Sequence, residues 1–380
     1  TGKMLSIANY PSFDPNNPGE VYEIEKIAPT KYTNPYVSLL WKTVLVEDSE
    51  VWDEFIYDKE KIKLRDATRE ELRDLALQKY IYKNDFGASV YQNDAVSSLY
   101  EPWSIMKAIT VAVWIDAEEI SKNEFYQDNM KVQIDQFTIA NISWRCAWYN
   151  TFANALAWSC NVWMVRIVQR VWKALLYNYF RNFWFWDETG ISLDWEISGK
   201  IEEYQQWSRA KLFTASYWLW VSVTPLQMAT AYSVIANGGV YIKPSIVKTV
   251  TFPDGRVLES QPEKVRRVIS EKTSKIVTSM LVEWVDSWAA AKWQVPWYAV
   301  AWKTWTAQIP YRWIYETWVA STNASFAWYW PAEDPQFVIL VKLERPRTNE
   351  YGWQTSAVIF SKAAWYLFDY YGIPKKSIEE

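Results

Sequence analysis

The 380-residue chain contains no histidine. That absence removes Ser-His-Asp and Cys-His nucleophile activation, HExxH zinc sites and every other His-ligated metal. Any hydrolase or acyl-transferase chemistry must therefore take its base from lysine, a carboxylate or tyrosine. Cysteine is nearly absent too, at two residues, Cys146 and Cys160, too few for a disulfide framework; free thiols are expected. There is no basic block and the net charge is −4, which argues against a nucleic-acid partner. No apolar run reaches the roughly 18 residues a membrane span needs. The opening "TGKMLSIANYPSF" has no start methionine and no signal-peptide pattern, and reads as the beginning of an excised domain.

Glycine is the other shortage. Average usage of about 7% would give roughly 27 glycines in this length, but the chain has 10 glycines and 27 tryptophans. A protein of this size needs glycine for turns with positive φ and for close backbone approach. Trp184 and Trp186 in "NFWFWDETG", and Trp218 and Trp220 in "SYWLWVSVTP", sit where glycine is the ordinary choice. Retained glycines in "ANGGVY" and "PDGRV" show normal turns elsewhere. Most of the tryptophans are read as UGA codons that the source organism decodes as glycine, the alternative being a genuinely Trp-rich core. Trp207 in "QQWSRAKLF" stands apart as a candidate true tryptophan, and Trp158 is left open.

With 50% hydrophobic and 22% charged residues, the chain suits one large globular domain or two smaller ones. Residues 1–10 alternate as a strand and break at the Pro/Asn-rich "PSFDPNNPGE". Residues 20–92 are charged and mixed; within them "TVLVEDSE" predicts a short strand and "ATREELRDLALQKYI" a Thr-capped helix. Helices are predicted over "EPWSIMKAITVAVWI", over residues 150–183 with a break near Ser159, over "TPLQMATAYSVIAN" ended by Gly238-Gly239, and over "EKTSKIVTSMLVEWV". Strands follow in "YAVAWKTWTAQIP", "VASTNASFAWYW" and "PQFVILVKLERP", then a closing helix, "TSAVIFSKAAWYLFDYY". The pattern implies one sheet sandwiched by helices, plus a helical lobe.

Three short motifs carry chemistry. Ser104 and Lys107 lie three apart at a helix start, so hydroxyl and amine share a face. There the free backbone N–H groups favour an oxyanion, and a buried lysine beside another cation can serve as the serine's base. Taken singly, S-x-x-K is more often a solvated helix face. The copy at Ser245–Lys248 lies in an extended run, where positions three apart point oppositely. Ser159 and Asn161, in "SCN" at a helix break, could relay a proton and hold a carbonyl; the plain reading is a local cap. Lys303, Thr304 and Thr306, around Trp305, would form an edge strand able to bind a carboxylate and present an N–H to an oxyanion. Strand alternation puts Lys303 and Trp305 on one face and the two threonines on the other unless a bulge re-aims them. The plain reading is an amphipathic edge strand.

Taken together, S-x-x-K, S-x-N and K-T-[G] in this order are the signature of the penicillin-binding and serine β-lactamase fold. With glycine restored, "YEPGSIMKAIT", "AGKTGTAQIP" and "SYGLGVSVTPLQMA" closely resemble the transpeptidase domain of class B penicillin-binding proteins, particularly the division type. The likeness covers roughly residues 1–19 and 93–375, leaving 20–92 as a charged insertion within a single 1–380 domain. The resemblance implies an α/β fold, a mainly antiparallel sheet flanked by helices with a helical lobe. It implies Ser104 as the acylated nucleophile, Lys107 as its base, Ser159 as proton shuttle and Asn161 as orienter of the substrate amide. Lys303, Thr304 and Thr306 would hold the substrate carboxylate, with the N–H groups of Ser104 and Thr306 as oxyanion hole. The implied reaction is DD-transpeptidation of peptidoglycan stem peptides, with β-lactams acylating the same serine and no metal or organic cofactor. It further implies an exocytoplasmic location, an N-terminal membrane anchor, and a glycan polymerase and division proteins as partners. A serine β-lactamase or DD-carboxypeptidase, and an inactive penicillin-binding sensor or scaffold, are the alternatives. An indole at Trp305 departs from the family pattern and would obstruct the cleft.

Overall fold

A computed structural model describes residues 1–10, 12–27, 44–74, 76–83, 87–134, 137–168, 170, 172–208, 211–212, 221–282, 300–308, 310–311, 314–315, 322–346, 352 and 354–373. The chain divides into two compact units, Ile7–Ala95 and Thr1–Ser6 with Val96–Glu380.

The Ile7–Ala95 unit holds a five-stranded antiparallel sheet of β1 (Ile24–Ile27), β2 (Val44–Glu47), β3 (Glu54–Tyr57), β4 (Glu60–Asp66) and β5 (Lys79–Tyr82), in the order β1-β5-β2-β4-β3. Ile24, Leu45, Phe55, Leu64 and Tyr80 form its core. The strand expected in "TVLVEDSE" is β2. The helix expected over 67–81 is cut to α1 (Arg69–Arg73). Thr68 and Glu71 close a capping box at its start, and Arg65 ties Glu71 and Asp48 to the adjoining strand at 2.8 and 2.7 Å. The helical pattern loses beyond Asp74 because "KYIY" pairs with both β1 and β2. Two ladders of hydrogen bonds outweigh a weak local propensity.

In the larger unit, α2 (Met106–Asp116) is buried from Met106 through Ile115. A helix apolar on all sides belongs in a core, and α2 is its centre. After it come two hairpin-like pairs formed by β6 (Phe125–Asp128), β7 (Lys131–Ile134), β8 (Phe137–Ala140) and β9 (Trp148–Thr151), with β6 on β9 and β7 on β8. The long helical stretch predicted over 150–183 is three helices: α3 (Phe152–Ala157), α4 (Val162–Val168) and α5 (Lys173–Asn182). The break falls at Trp158–Asn161, as Ser159 suggested. Helices α6 (Pro225–Ala236) and α7 (Glu271–Val282) precede the antiparallel strands β10 (Ala301–Gln308), β11 (Thr322–Trp330) and β12 (Phe337–Glu344), and α8 (Ser356–Tyr371) follows. Phe360, Ala364 and Phe368 of α8 pack on Trp302, Phe326, Trp328 and Trp330, covering one face of this sheet. Helices α6 and α7 and the turn before α2 pack on the sheet from elsewhere in the unit, giving the sandwich implied by the strand and helix pattern. The strand expected over 1–10 is reduced to one parallel bridge, Lys3 with Ser245. Pro244 beside it has no N–H with which to extend a ladder.

Several of the described tryptophans sit in surroundings unusual for an indole. Trp103, Trp148, Trp184 and Trp195 hold φ of 47°, 73°, 69° and 59°, a region that costs a bulky L-residue and suits glycine. The buried indoles of Trp114, Trp163, Trp328 and Trp330 have no hydrogen-bond partner for their N–H groups among the described residues, against the habit of buried tryptophan. Trp207 behaves as a tryptophan should, with φ −72°, near-complete burial and its N–H donated to Glu202 O at 2.9 Å. Trp218 and Trp220 lie outside the described residues.

Candidate active site

The site is assembled where α2 begins. Pro102 leads into a tight turn over Trp103–Ile105, and α2 follows directly. Tyr232 of α6, buried, donates its hydroxyl hydrogen bond to Ile105 O at 2.8 Å and pins the turn. Ser104 stands in that turn and Lys107 one turn later, both fully buried. Ser104 Oγ has no hydrogen-bond partner among the described residues. Its backbone N–H lies in the first turn, where no carbonyl lies four residues back within the helix to accept it.

Lys107 reaches the break between α3 and α4. Its Nζ lies 2.8 Å from Ser159 O, 3.3 Å from Ser159 Oγ, 3.3 Å from Cys160 O and 2.6 Å from Asn161 Oδ1. The sequence-derived pairs S-x-x-K and S-x-N therefore meet through Lys107, across 52 to 54 residues of chain. Ser159 adopts φ 57°, which turns the backbone so that two consecutive carbonyls face the amine.

Lys303, on β10, is also buried. Burial pushes its ammonium down to about 7. The Lys107 amine is held well below the usual lysine range, first by burial and then by the nearby Lys303 charge. A buried amine beside another cation gives up its proton readily, which is the state a base requires. At the α2 end of the site, the K-T-x-T strand thus meets the other two motifs through charge.

The remaining predicted residues are placed differently. The β10–β11 register runs without a bulge from Ala301↔Tyr329 to Gln308↔Thr322. Thr304 therefore takes the same face as Trp302 and Trp328, the face α8 covers, opposite to Lys303. The structure does not bring the Thr304 side chain to the lysines. Trp305 and Thr306 occupy strand positions opposite Ser325 and Ala324, and the β10 edge position inferred from the sequence holds among the described residues.

Three features had no signal in the sequence. Cys146 and Cys160 form a disulfide with Cα atoms 5.7 Å apart, which corrects the expectation of free thiols; two cysteines 14 apart say nothing of pairing until a fold juxtaposes them. The bridge ends on Cys160, between Ser159 and Asn161. Asn141, just after β8, accepts the backbone N–H groups of Asn161 and Val162 at 2.6 and 3.0 Å. Asp128, at the end of β6 and buried, accepts from Asn141 Nδ2 at 2.9 Å.

A family model described as "Penicillin binding protein transpeptidase domain" matches residues 1–364. The chain is 29% identical over 303 residues to penicillin-binding protein PbpB of Mycolicibacterium smegmatis, 74% of this chain and 45% of that protein. It is 30% identical over 280 residues to stage V sporulation protein D of Bacillus subtilis, 71% of this chain and 42% of that one. The chain thus spans less than half the length of these curated relatives. Among solved structures it is similar to penicillin-binding protein 3 of Mycobacterium tuberculosis complexed with ampicillin, with a TM-score of 0.70 and 28% identity, covering 76% of this chain and 66% of that one.

Proposed function

Since the chain belongs to the penicillin-binding protein transpeptidase domain family, we propose that it is the acyl-transferring part of a peptidoglycan DD-transpeptidase. Ser104 attacks the carbonyl of a terminal D-Ala-D-Ala bond, and its proton passes to the Lys107 amine. The tetrahedral oxyanion is held by the N–H groups of Ser104 and Thr306. Collapse expels D-alanine, which takes up a proton relayed through Lys107 and Ser159. A neighbouring stem peptide's amine then attacks the ester, releasing Ser104 and completing the cross-link. Asn161 orients the substrate amide, and Lys303 faces the substrate carboxylate. Thr304 is kept as a carboxylate contact only through its backbone, given the face its side chain takes. β-Lactams acylate the same oxygen.

The observation that carries this reading is the buried Lys107, its proton loosened by desolvation and by Lys303, lying between the Ser159–Asn161 turn and the helix start that bears Ser104. Names of relatives such as "Peptidoglycan D,D-transpeptidase FtsI" of Escherichia coli support the substrate class, and this reading further proposes a place in division, at the exocytoplasmic face of the envelope with a membrane anchor. Among the described residues no helix is long and apolar enough to cross a membrane. A glycan polymerase and division proteins are the partners this reading proposes.

The active polypeptide is proposed to carry glycine at positions 103, 148, 184, 195 and 305. The test is labelling by fluorescent penicillin of that glycine-bearing chain beside its Ser104→Ala variant. A stable adduct on the parent and none on Ser104→Ala is expected. An unlabelled parent, or a labelled Ser104→Ala, overturns the reading.

A further inference from the structure

The Ser159–Asn161 turn is held by a pair of residues that belong to none of the three motifs. Asn141 Oδ1 accepts both the Asn161 and the Val162 backbone N–H, at 2.6 and 3.0 Å, so one oxygen sets the entry of α4. Asn141 is itself fixed at two further points. Its backbone N–H reaches Met130 O at 2.9 Å, and its Nδ2 donates to Asp128 Oδ2 at 2.9 Å. The second oxygen of Asp128 accepts the Met130 N–H at 2.7 Å, so the buried carboxylate is itself oriented.

The chemistry of this chain of contacts runs one way. A carboxylate can only accept, so Asp128 compels the Asn141 amide to turn its NH2 inward and its oxygen toward α4. With the amide flipped, two backbone N–H groups would face an NH2 and both would be lost. The neighbouring carbonyl, Ala140 O, takes Asn161 Nδ2 at 2.9 Å, which leaves Asn161 Oδ1 aimed at Lys107 Nζ, 2.6 Å away. The position of Asn161 relative to the Lys107 amine thus derives from the Asp128–Asn141 pair. We propose that Asp128 and Asn141 are positioning residues for the acyl transfer, setting the Ser159–Asn161 turn against Lys107 through a donor–acceptor order fixed by the Asp128 carboxylate.

This rests on the function proposed above, and the test separates the two. The glycine-bearing 1–380 chain is compared with Asn141→Ala, Asp128→Asn, Asn141→Asp and the exchange Asp128→Asn/Asn141→Asp, by the rate of Ser104 acylation with fluorescent penicillin and by melting temperature. Misplacing a catalytic group by about 1 Å costs on the order of 100-fold in rate, and a loss of that size is expected for each single substitution. In Asn141→Asp two carboxylates face each other; in Asp128→Asn one of the two contacts becomes a mismatch. The exchange restores every bond with the middle one reversed: the amide at 128 donates to the carboxylate at 141, which still accepts both α4 N–H groups. Its rate is expected within about tenfold of the parent, a non-additivity expected of residues that share one hydrogen-bond network. A residue serving stability alone would move the melting temperature and leave the rate of the folded fraction unchanged. Asn141→Ala acylating as fast as the parent overturns the inference. So does an exchange no faster than the slower single variant, whatever its melting temperature. A parent that fails to label removes the functional reading, and this inference with it.

Discussion

Backbone angles set Trp103, Trp148, Trp184 and Trp195 apart from the other described tryptophans, a distinction that composition alone cannot make. Trp148 is 81% exposed with φ 73°, so its indole gains little from burial while its backbone pays the left-handed cost of about 1–2 kcal/mol. Trp148→Gly is expected to raise stability by about 1 kcal/mol in urea unfolding, a gain that positive φ predicts and a true tryptophan site would not give. Trp207→Ala should do the opposite, losing about 3–5 kcal/mol, because its ring is packed and its N–H is bonded to Glu202. Mass spectrometry of the protein from its natural source is expected to find glycine at 103, 148, 184, 195 and 305 and tryptophan at 207. Tryptophan at 305 would sink the recoding. At Gly239 the same logic is visible in reverse: φ is 97°, and a Cβ there would come within 2.0 Å of Ile269 O. Such a site admits nothing larger, which is why the glycines that remain are informative.

At the scale of elements, the Cys146–Cys160 bridge closes the segment carrying β9 and α3 and ends inside the turn that contacts Lys107. Closing a loop of about 15 residues restricts the unfolded chain by about 3 kcal/mol. Reduction with dithiothreitol is expected to lower stability by about that amount, read as a drop in melting temperature that Cys146→Ser/Cys160→Ser reproduces and that reductant does not deepen. Element legibility followed the range of the forces involved. The α2 helix, the break at Ser159, α6 to its glycine stop and the strands β10 to β12 were readable because periodicity and breakers act over a few residues. The Lys79–Tyr82 strand was hidden in a helical pattern, since its conformation is decided by partners in β1 and β2 more than thirty residues away. Asn141 and the disulfide were invisible for a related reason: one asparagine in a loop and two cysteines announce nothing before β6, β8 and the α3–α4 turn converge. The alternation argument for Thr304 and Lys303 held at the backbone, and no bulge intervenes to bring the threonine side chain across.

For the molecule as a whole, two buried lysines couple folding to proton release. Lys303 has its folded value lowered to about 7 by burial, whereas in the unfolded chain it lies near the ordinary lysine value of about 10.4. Between those two limits the unfolded state holds the proton and the native state does not. Stability therefore rises with pH from about 7 toward 10, by at most about 1.4 kcal/mol per pH unit for this group. Below about 7 both states are protonated and the penalty of the buried charge persists in full. Lys107, lowered by burial and by Lys303, contributes in the same direction. Chemical denaturation at pH 7 and pH 9 is expected to show this rise, and Lys303→Met to reduce it, leaving the part that Lys107 contributes through its own burial. A slope of the opposite sign in the parent would mean that the amines stay charged in the folded protein.

Lys107 and Lys303 are separated by almost two hundred residues, yet the basicity of the first depends on the second and on the shell that excludes water from both. As a newly made chain emerges N-terminus first, its serine and adjacent amine appear long before β10 does. Until that strand docks, the Lys303 charge that helps to lower the Lys107 amine is not in place. Under the function proposed above, Ser104 is therefore fully armed only on completion of folding, and a half-finished molecule is protected from an electrophile meant for the finished one.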